Sequence, residues 1–340
     1  MLARRCRLLA PLLLLPLLAA CSPAEGEVLF VRHAGADMPV WVRGNTDSGV
    51  FVLWLHGGPG DNALHNVGTP FFAGLEERYA VVYWDQRASG SSQGAPAPST
   101  LSLAQFVEDT DLVVDLVRAR YAPRTLVMAG HSWGGTLGPA YLGEPARQAK
   151  VDAWVEVDGS HDVQRGYALS RDIMLRHAAE RLAAGEQPEV WEAARRFYEE
   201  RPVLVNADLP RHSGYVYRAG GYVYDRTGLR GDPLAELLSP MDPMSSRFTP
   251  ALLPRFFDLA SMDMTEQLRR ITLPSLVLWG RHDYILPVGL AAHAYEALGT
   301  PASAKRLVVI EEAAHSPHAE QPEASLAAVA DFIESVRAAR

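Results

Sequence analysis

From residue 27 onward, short apolar runs rich in β-branched and aromatic residues alternate with stretches whose apolar positions recur every three to four residues. The first pattern fits strands, and the second fits helices lying against them. Glu27–Arg32, Pro39–Arg43, Gly49–Leu55 and Ala80–Trp84 read as strands, with a helix at Phe72–Arg78 before the last of them. Leu103–Arg120 has the period of a long amphipathic helix, Thr125–Ala129 reads as a strand, and Gly134–Leu142 as a helix of small residues. Val151–Val157, Ser275–Trp279 and Arg306–Ile310 supply further strands, and helices at Pro287–Leu298 and Pro322–Ala338 follow the last two. Such alternation predicts parallel βαβ units, hence an α/β fold with a mostly parallel, doubly wound sheet.

Residues 160–263 break the alternation. They are rich in Arg, Glu, Tyr and Pro, with helical patterns at Arg171–Ala184 and Pro188–Glu200. They read as a largely helical cap inserted between two segments of one sheet domain, 27–159 and 264–340. Within the insert, Gly214-Tyr215-Val216-Tyr217 recurs as Gly221-Tyr222-Val223-Tyr224. This predicts a hairpin turning at Arg218-Ala219-Gly220, with the four tyrosines on one face. Such a face either holds the cap together or walls a bound substrate.

Composition then restricts the chemistry. The only two cysteines, Cys6 and Cys21, precede the body of the chain, which therefore has no thiol nucleophile, disulfide or cysteine-ligated zinc. An oxygen nucleophile is the remaining side-chain option, and Gly130-His131-Ser132-Trp133-Gly134 offers one. This stretch fits G-x-S-x-G, in which a serine on a sharp strand-to-helix turn presents its Oγ above a parallel sheet. A strand before it and a small-residue helix after it supply that context. The competing reading is a glycine-rich turn whose serine only bonds backbone.

A serine needs a base to take its proton and an acid to orient that base. In this arrangement the acid and then the histidine follow the serine along the chain, each in a loop after a strand. Asp283 follows Ser275–Trp279 and His315 follows Arg306–Ile310, so they are the candidate acid and base. Asp158, after Val157, is the alternative acid. His282 reads as a loop residue. His315 and His318 could be taken as a metal pair, but no clustered further ligands accompany them, and no metal or cofactor is expected. Two backbone N–H groups should receive the oxyanion: that of Trp133, and that of Gly58 in His56-Gly57-Gly58-Pro59-Gly60 after Leu55.

Three blocks together resemble the proline iminopeptidase family of α/β-hydrolases: His56 to Gly60, then Tyr83-Trp84-Asp85-Gln86-Arg87 with Ser89-Gly90-Ser91-Ser92, then Ser132-Trp133-Gly134-Gly135-Thr136-Leu137. The likeness runs from about Glu27 onward, is strongest between Phe51 and Leu142, and is weak in the cap. It implies an α/β-hydrolase fold and a serine hydrolase that removes an N-terminal residue, typically proline, from peptides. By the resemblance Ser132, Asp283 and His315 form the catalytic triad, Gly58 and Trp133 the oxyanion hole, and cap carboxylates bind the substrate ammonium. Ala88 and His131 stand where the family usually has glycine. Among the cap acids Glu199, Glu200, Asp208 and Asp225, no motif selects an ammonium-binding pair, so the substrate-binding residues stay unassigned.

The amino terminus has a different purpose. Arg4, Arg5 and Arg7 precede an apolar run from Leu8 to Leu18 that is too short for a permanent span, so residues 1–20 read as a secretory signal. Leu18-Ala19-Ala20-Cys21 resembles a bacterial lipobox, which implies acylation of Cys21, a tether over 21–26, and a lipid anchor in the cell envelope, with Ser22 resembling outer-membrane sorting. Ordinary cleavage after Ser22, releasing a periplasmic protein, is the alternative. Loss of three arginines with the signal takes the formal charge from −8 to −11, which argues against nucleic acid as a partner.

Three functions fit these features: an aminopeptidase acting on small peptides, a carboxylesterase or other small-acyl hydrolase, and a binding protein on a hydrolase fold. The complete set of serine, acid, base and oxyanion loop argues against the third, and Ser132 at the elbow argues against relatives with an aspartate nucleophile.

Overall fold

A computed structural model of the chain describes residues 26–225 and 258–339. Its sheet contains β1 (Gly26–His33), β2 (Ala36–Gly44), β3 (Val50–Leu55), β4 (Ala80–Trp84), β5 (Gln93–Gly94), β6 (Thr125–His131), β7 (Ala153–Val157), β8 (Ser275–Gly280) and β9 (Lys305–Ile310). Their order is β1-β2-β4-β3-β6-β7-β8-β9, with β5 paired to β2. β1 and β2 form an antiparallel hairpin, and its two turn residues, Ala34 and Gly35, have φ of 45° and 81°. β2 is also antiparallel to β4, and from β4 to β9 every neighbour is parallel. The α/β, mostly parallel doubly wound sheet expected from the alternation is the one that forms.

All six residues of β3 are buried because helices cover both its faces. Val50, Val52 and Trp54 pack with Phe71, Phe72 and Leu75 of α1 (Pro70–Arg78) and with Phe332 and Ile333 of the helix Pro322–Ala338. On the opposite face Phe51, Leu53 and Leu55 meet Val113 and Val117 of α2 (Leu103–Tyr121) and Leu137 of α3 (Gly134–Leu142). From β3 the chain leaves through α1 to β4 on one side and returns through α2 to β6 on the other. This reversal opens a crevice at the carboxyl ends of β3 and β6. Leu55 pairs with Gly130, so the loops that begin at His56 and Ser132 emerge side by side.

After the short helix α4 (Pro145–Gln148) and β7, the chain leaves the sheet. Asp162 bridges to Asp263, and the Val163 amide donates to the Met262 carbonyl at 3.0 Å, so the insert enters and exits at one point. Helices α5 (Val163–Ala183), α6 (Pro188–Glu200) and α7 (Leu209–Arg218) share a core of Tyr167, Met174, Trp191, Phe197, Tyr198 and Val216. α5 starts well before the pattern at Arg171. Its buried face there includes Gly166 and Ser170, which carry no hydropathic signal, and the Asp162 side chain caps it by accepting the Arg165 amide at 3.0 Å.

The predicted hairpin does not form. Gly214–Arg218 completes α7, and Gly221–Tyr224 is irregular. His212 and Val216 are turned inward one helical turn apart, and Tyr198 and His212 share a hydrogen bond of 3.0 Å. Packing against α6 thus overrides the β-propensity of the Tyr-Val-Tyr repeat. Nor do the tyrosines share a face: Tyr215 lies against Phe197 and Tyr198, whereas Tyr222 lies 5.0 Å from the His315 ring. No helix among the described residues is long and apolar enough to cross a membrane, and the signal and Cys21 lie outside those residues.

Candidate active site

β6 ends at His131, and Ser132 turns the chain with φ of 53°, a left-handed conformation costly for a residue with a side chain. Neighbouring backbone holds it there. The Ser132 amide donates to the Val157 carbonyl at 3.1 Å, while its own carbonyl accepts from the Ser160 amide at 2.9 Å and the Ser160 hydroxyl at 3.0 Å. The turn also needs its flanking glycines: a Cβ on Gly130 would stand 2.4 Å from the Gly134 carbonyl oxygen, and one on Gly134 2.2 Å from that of Leu55. α3 begins at Gly134, so the positive end of its dipole lies beside Ser132.

The Ser132 hydroxyl reaches the Nε2 of His315 at 3.1 Å, and His315 Nδ1 reaches Oδ2 of Asp283 at 2.8 Å. The other carboxylate oxygen of Asp283 accepts the amides of Ile285 and Leu286, at 2.8 and 2.9 Å. The three residues predicted from separate loops are thus brought together. Asp158 is adjacent but takes a different role. Its Oδ1 accepts the Gly280 amide at 3.0 Å, and its ligand atom lies within 4.8 Å of those of Asp283 and His315. Burial, reinforced by the negative charge of Asp283, pushes the Asp158 carboxyl well above its ordinary range. Asp158 is therefore the neutral acid of this pair, and Asp283 is the one hydrogen-bonded to His315. His318 packs in a ring cluster with Trp54, Phe71 and Phe72 and is not among the group that Asp158, Asp283 and His315 form.

The loop after β3 faces Ser132 from the other side of the crevice. Gly58 has φ of 112°, reached readily only by glycine, and is exposed to the crevice. His56 Nδ1 donates to the Gly57 carbonyl at 2.8 Å, and its Nε2 accepts the Gln86 amide at 3.2 Å, which together define the Nδ1–H tautomer. Because a trans peptide sets its N–H opposite its C=O, tying down the Gly57 carbonyl orients the Gly58 N–H. Gln86 locks this loop to the elbow: its amide nitrogen donates to the His56 carbonyl at 3.3 Å, and its Oε1 accepts the Trp133 indole N–H at 2.9 Å. The Asp85-Gln86-Arg87 block therefore braces the two loops. Arg87 itself is buried and paired with Asp109 at 2.5 Å.

Three contributors were not assigned from sequence. His131 donates its Nε2–H to the His315 carbonyl at 2.8 Å, which supports the loop carrying the base. Burial, with His315 nearby, pushes it down to about 3, so it is neutral at physiological pH. Tyr222 accepts the His315 amide on its carbonyl at 3.3 Å and lays its ring beside the imidazole. Glu320 accepts the amides of Ala314 at 3.0 Å and Tyr224 at 2.6 Å, joining the base loop to the cap. His131 leaves a trace in the sequence as a departure from glycine, and Tyr222 as a member of the tyrosine repeat; Glu320 leaves none. Of the cap acids singled out from sequence, Glu199, Glu200 and Asp208 lie within 4.0 Å of Arg195, Arg201 and Arg201, respectively.

Residues 52–329 match the description "Alpha/beta hydrolase family". Proline iminopeptidase of Heyndrickxia coagulans is 28% identical over 294 residues, covering 85% of this chain and 92% of its own. A protein of Bacillus subtilis named "Probable aminopeptidase YbaC" is 24% identical over 300 residues, covering 80% of this chain and 85% of its own. Among solved structures, proline iminopeptidase of Mycobacterium smegmatis superposes with a TM-score of 0.62 at 18% identity, covering 92% of this chain and 99% of that one. With the sheet, the elbow and a match across most of its length, this chain belongs to the α/β-hydrolase family and is a hydrolase resembling the proline iminopeptidases.

Proposed function

We propose that this chain is a serine aminopeptidase of the proline iminopeptidase type, which releases N-terminal residues from small peptides through an acyl-enzyme. The observation that carries the proposal is the continuous relay from Ser132 Oγ through His315 to Asp283, with spacings of 3.1 and 2.8 Å. Ser132 Oγ attacks the carbonyl carbon of the scissile bond while its proton passes to His315 Nε2. Asp283 holds the proton on Nδ1 and stabilises the imidazolium. The tetrahedral oxyanion is received by the N–H groups of Gly58 and Trp133. His315 then gives its Nε2 proton to the departing amine, and water repeats the sequence on the ester to release the residue.

Two near-full-length relatives whose names specify aminopeptidase or proline iminopeptidase favour the peptidase over an esterase. The deciding experiment pairs proline and alanine arylamides, with free or acetylated amines, and a short-chain acyl ester, each with the parent protein and Ser132→Ala. Loss of turnover by several orders of magnitude in the variant, with melting unchanged, is expected. Retained turnover would overturn the nucleophile, and cleavage of the ester alone would overturn the peptidase. Cys21 as a lipid-bearing residue in the bacterial envelope is proposed from the sequence alone. Fatty-acid labelling that persists in Cys21→Ala would refute it.

A further inference from the structure

Asp61, the residue after the His56–Gly60 loop, has no part in the relay, yet its carboxylate faces the reacting centre. A side chain on Gly57 would begin at a point 3.4 Å from Ser132 Cβ and 3.7 Å from Asp61 Oδ2, so the two groups flank one small space. Its other oxygen, Oδ1, accepts the Asn62 amide at 2.8 Å and lies 3.5 Å from His65 Nδ1, which fixes the direction of the carboxylate. The side chain is 47% exposed, open to an entering ligand. Burial raises its carboxyl, but the interactions with His65, His56 and the Asn62 amide outweigh that and hold it below the ordinary range. It is an anion at neutral pH.

A fixed negative charge beside the oxyanion donors opposes the very charge those donors are placed to receive. It becomes favourable only when the substrate brings a cation between the two. An N-terminal residue does so: its ammonium nitrogen lies about 2.5 Å from the carbonyl carbon, two bonds away, and that carbon must approach Ser132 Oγ.

We propose that Asp61 is the ammonium-binding residue of this site, so that the catalytic domain itself, through the loop after β3, selects substrates with a free α-amine. The proposal rests on the peptidase reading above. Asparagine at 61 retains an acceptor for the Asn62 amide and removes only the charge. In Asp61→Asn, the ratio of kcat/KM for free-amine over acetylated proline arylamide is expected to fall ten- to a hundred-fold, and Asp61→Glu is expected to restore part of it. Melting curves on both variants report whether the fold is intact. An unchanged ratio in Asp61→Asn, with Ser132-dependent cleavage of free-amine arylamides intact, would overturn the Asp61 assignment and leave the peptidase standing. A parent protein with no preference for the free amine would overturn both.

Discussion

The floor and the roof of the crevice are built by different means. The floor consists of strand ends: Leu55, His131, Val157 and Gly280 close β3, β6, β7 and β8, and parallel register places their loops side by side. Among the described residues, the part of the roof beside His315 is the segment Gly221–Tyr224, which is neither helix nor strand. It is held by the Tyr284 amide on the Gly221 carbonyl at 2.8 Å, the His315 amide on Tyr222 at 3.3 Å, and Glu320 on Tyr224. A floor fixed by buried ladders can hold reacting atoms to a fraction of an ångström, which chemistry demands. A roof on a few isolated bonds can shape a pocket but not a transition state.

That contrast is broken most directly at Asp283. Asp283→Asn keeps the side-chain shape but presents a donor to Nδ1 and forces the imidazole into the wrong tautomer. A loss of about 10³- to 10⁴-fold in kcat with little change in KM is expected. Steady-state kinetics on a free-amine arylamide would measure it, and a change confined to KM would mean that the floor merely binds.

The roof should respond more weakly. Tyr222→Leu removes a ring 5.0 Å from that of His315 but leaves the backbone carbonyl that accepts the His315 amide. An aromatic contact of this kind contributes about 0.5–1.5 kcal/mol, so a change of about 2- to 10-fold is expected, mainly in KM. If kcat instead fell a thousand-fold, Tyr222 would have to be counted with the floor.

The same division explains what could be foreseen from the residues. Ala80–Trp84, Gly134–Leu142 and Pro188–Glu200 have in the structure the limits that periodicity predicts. Ser132, Asp283 and His315 were legible because each sits in a loop whose position a strand dictates. Gly221–Tyr224 departs from its β-prone pattern because its neighbours, not its own propensities, determine its path. His131 and Gln86 escaped for a related reason: their work is a bond to a backbone or indole partner distant in sequence, which no local pattern encodes.

The smallest effect on turnover, and the sharpest division within the floor, is expected at Asp158. It and Asp283 are neighbouring buried acids, but only Asp283 is bonded to His315, while Asp158 is held neutral by burial and by the charge beside it. A neutral acid resembles an amide, so Asp158→Asn should alter kcat/KM by less than about 3-fold. Stability should move instead. An unfolded aspartate ionises near about 3.9 while the folded one keeps its proton, so above that pH the native state binds more protons than the unfolded state. Asp158 therefore lowers stability as pH rises, by up to about 1.4 kcal/mol per unit, until its own raised pKa is passed. Asparagine abolishes this slope. Thermal melts from pH 4 to 8 should show parent and variant alike at the acid end and the variant progressively more stable toward neutrality. Parallel curves would mean that Asp158 is ionised in the native protein and that two carboxylates share this corner of the floor.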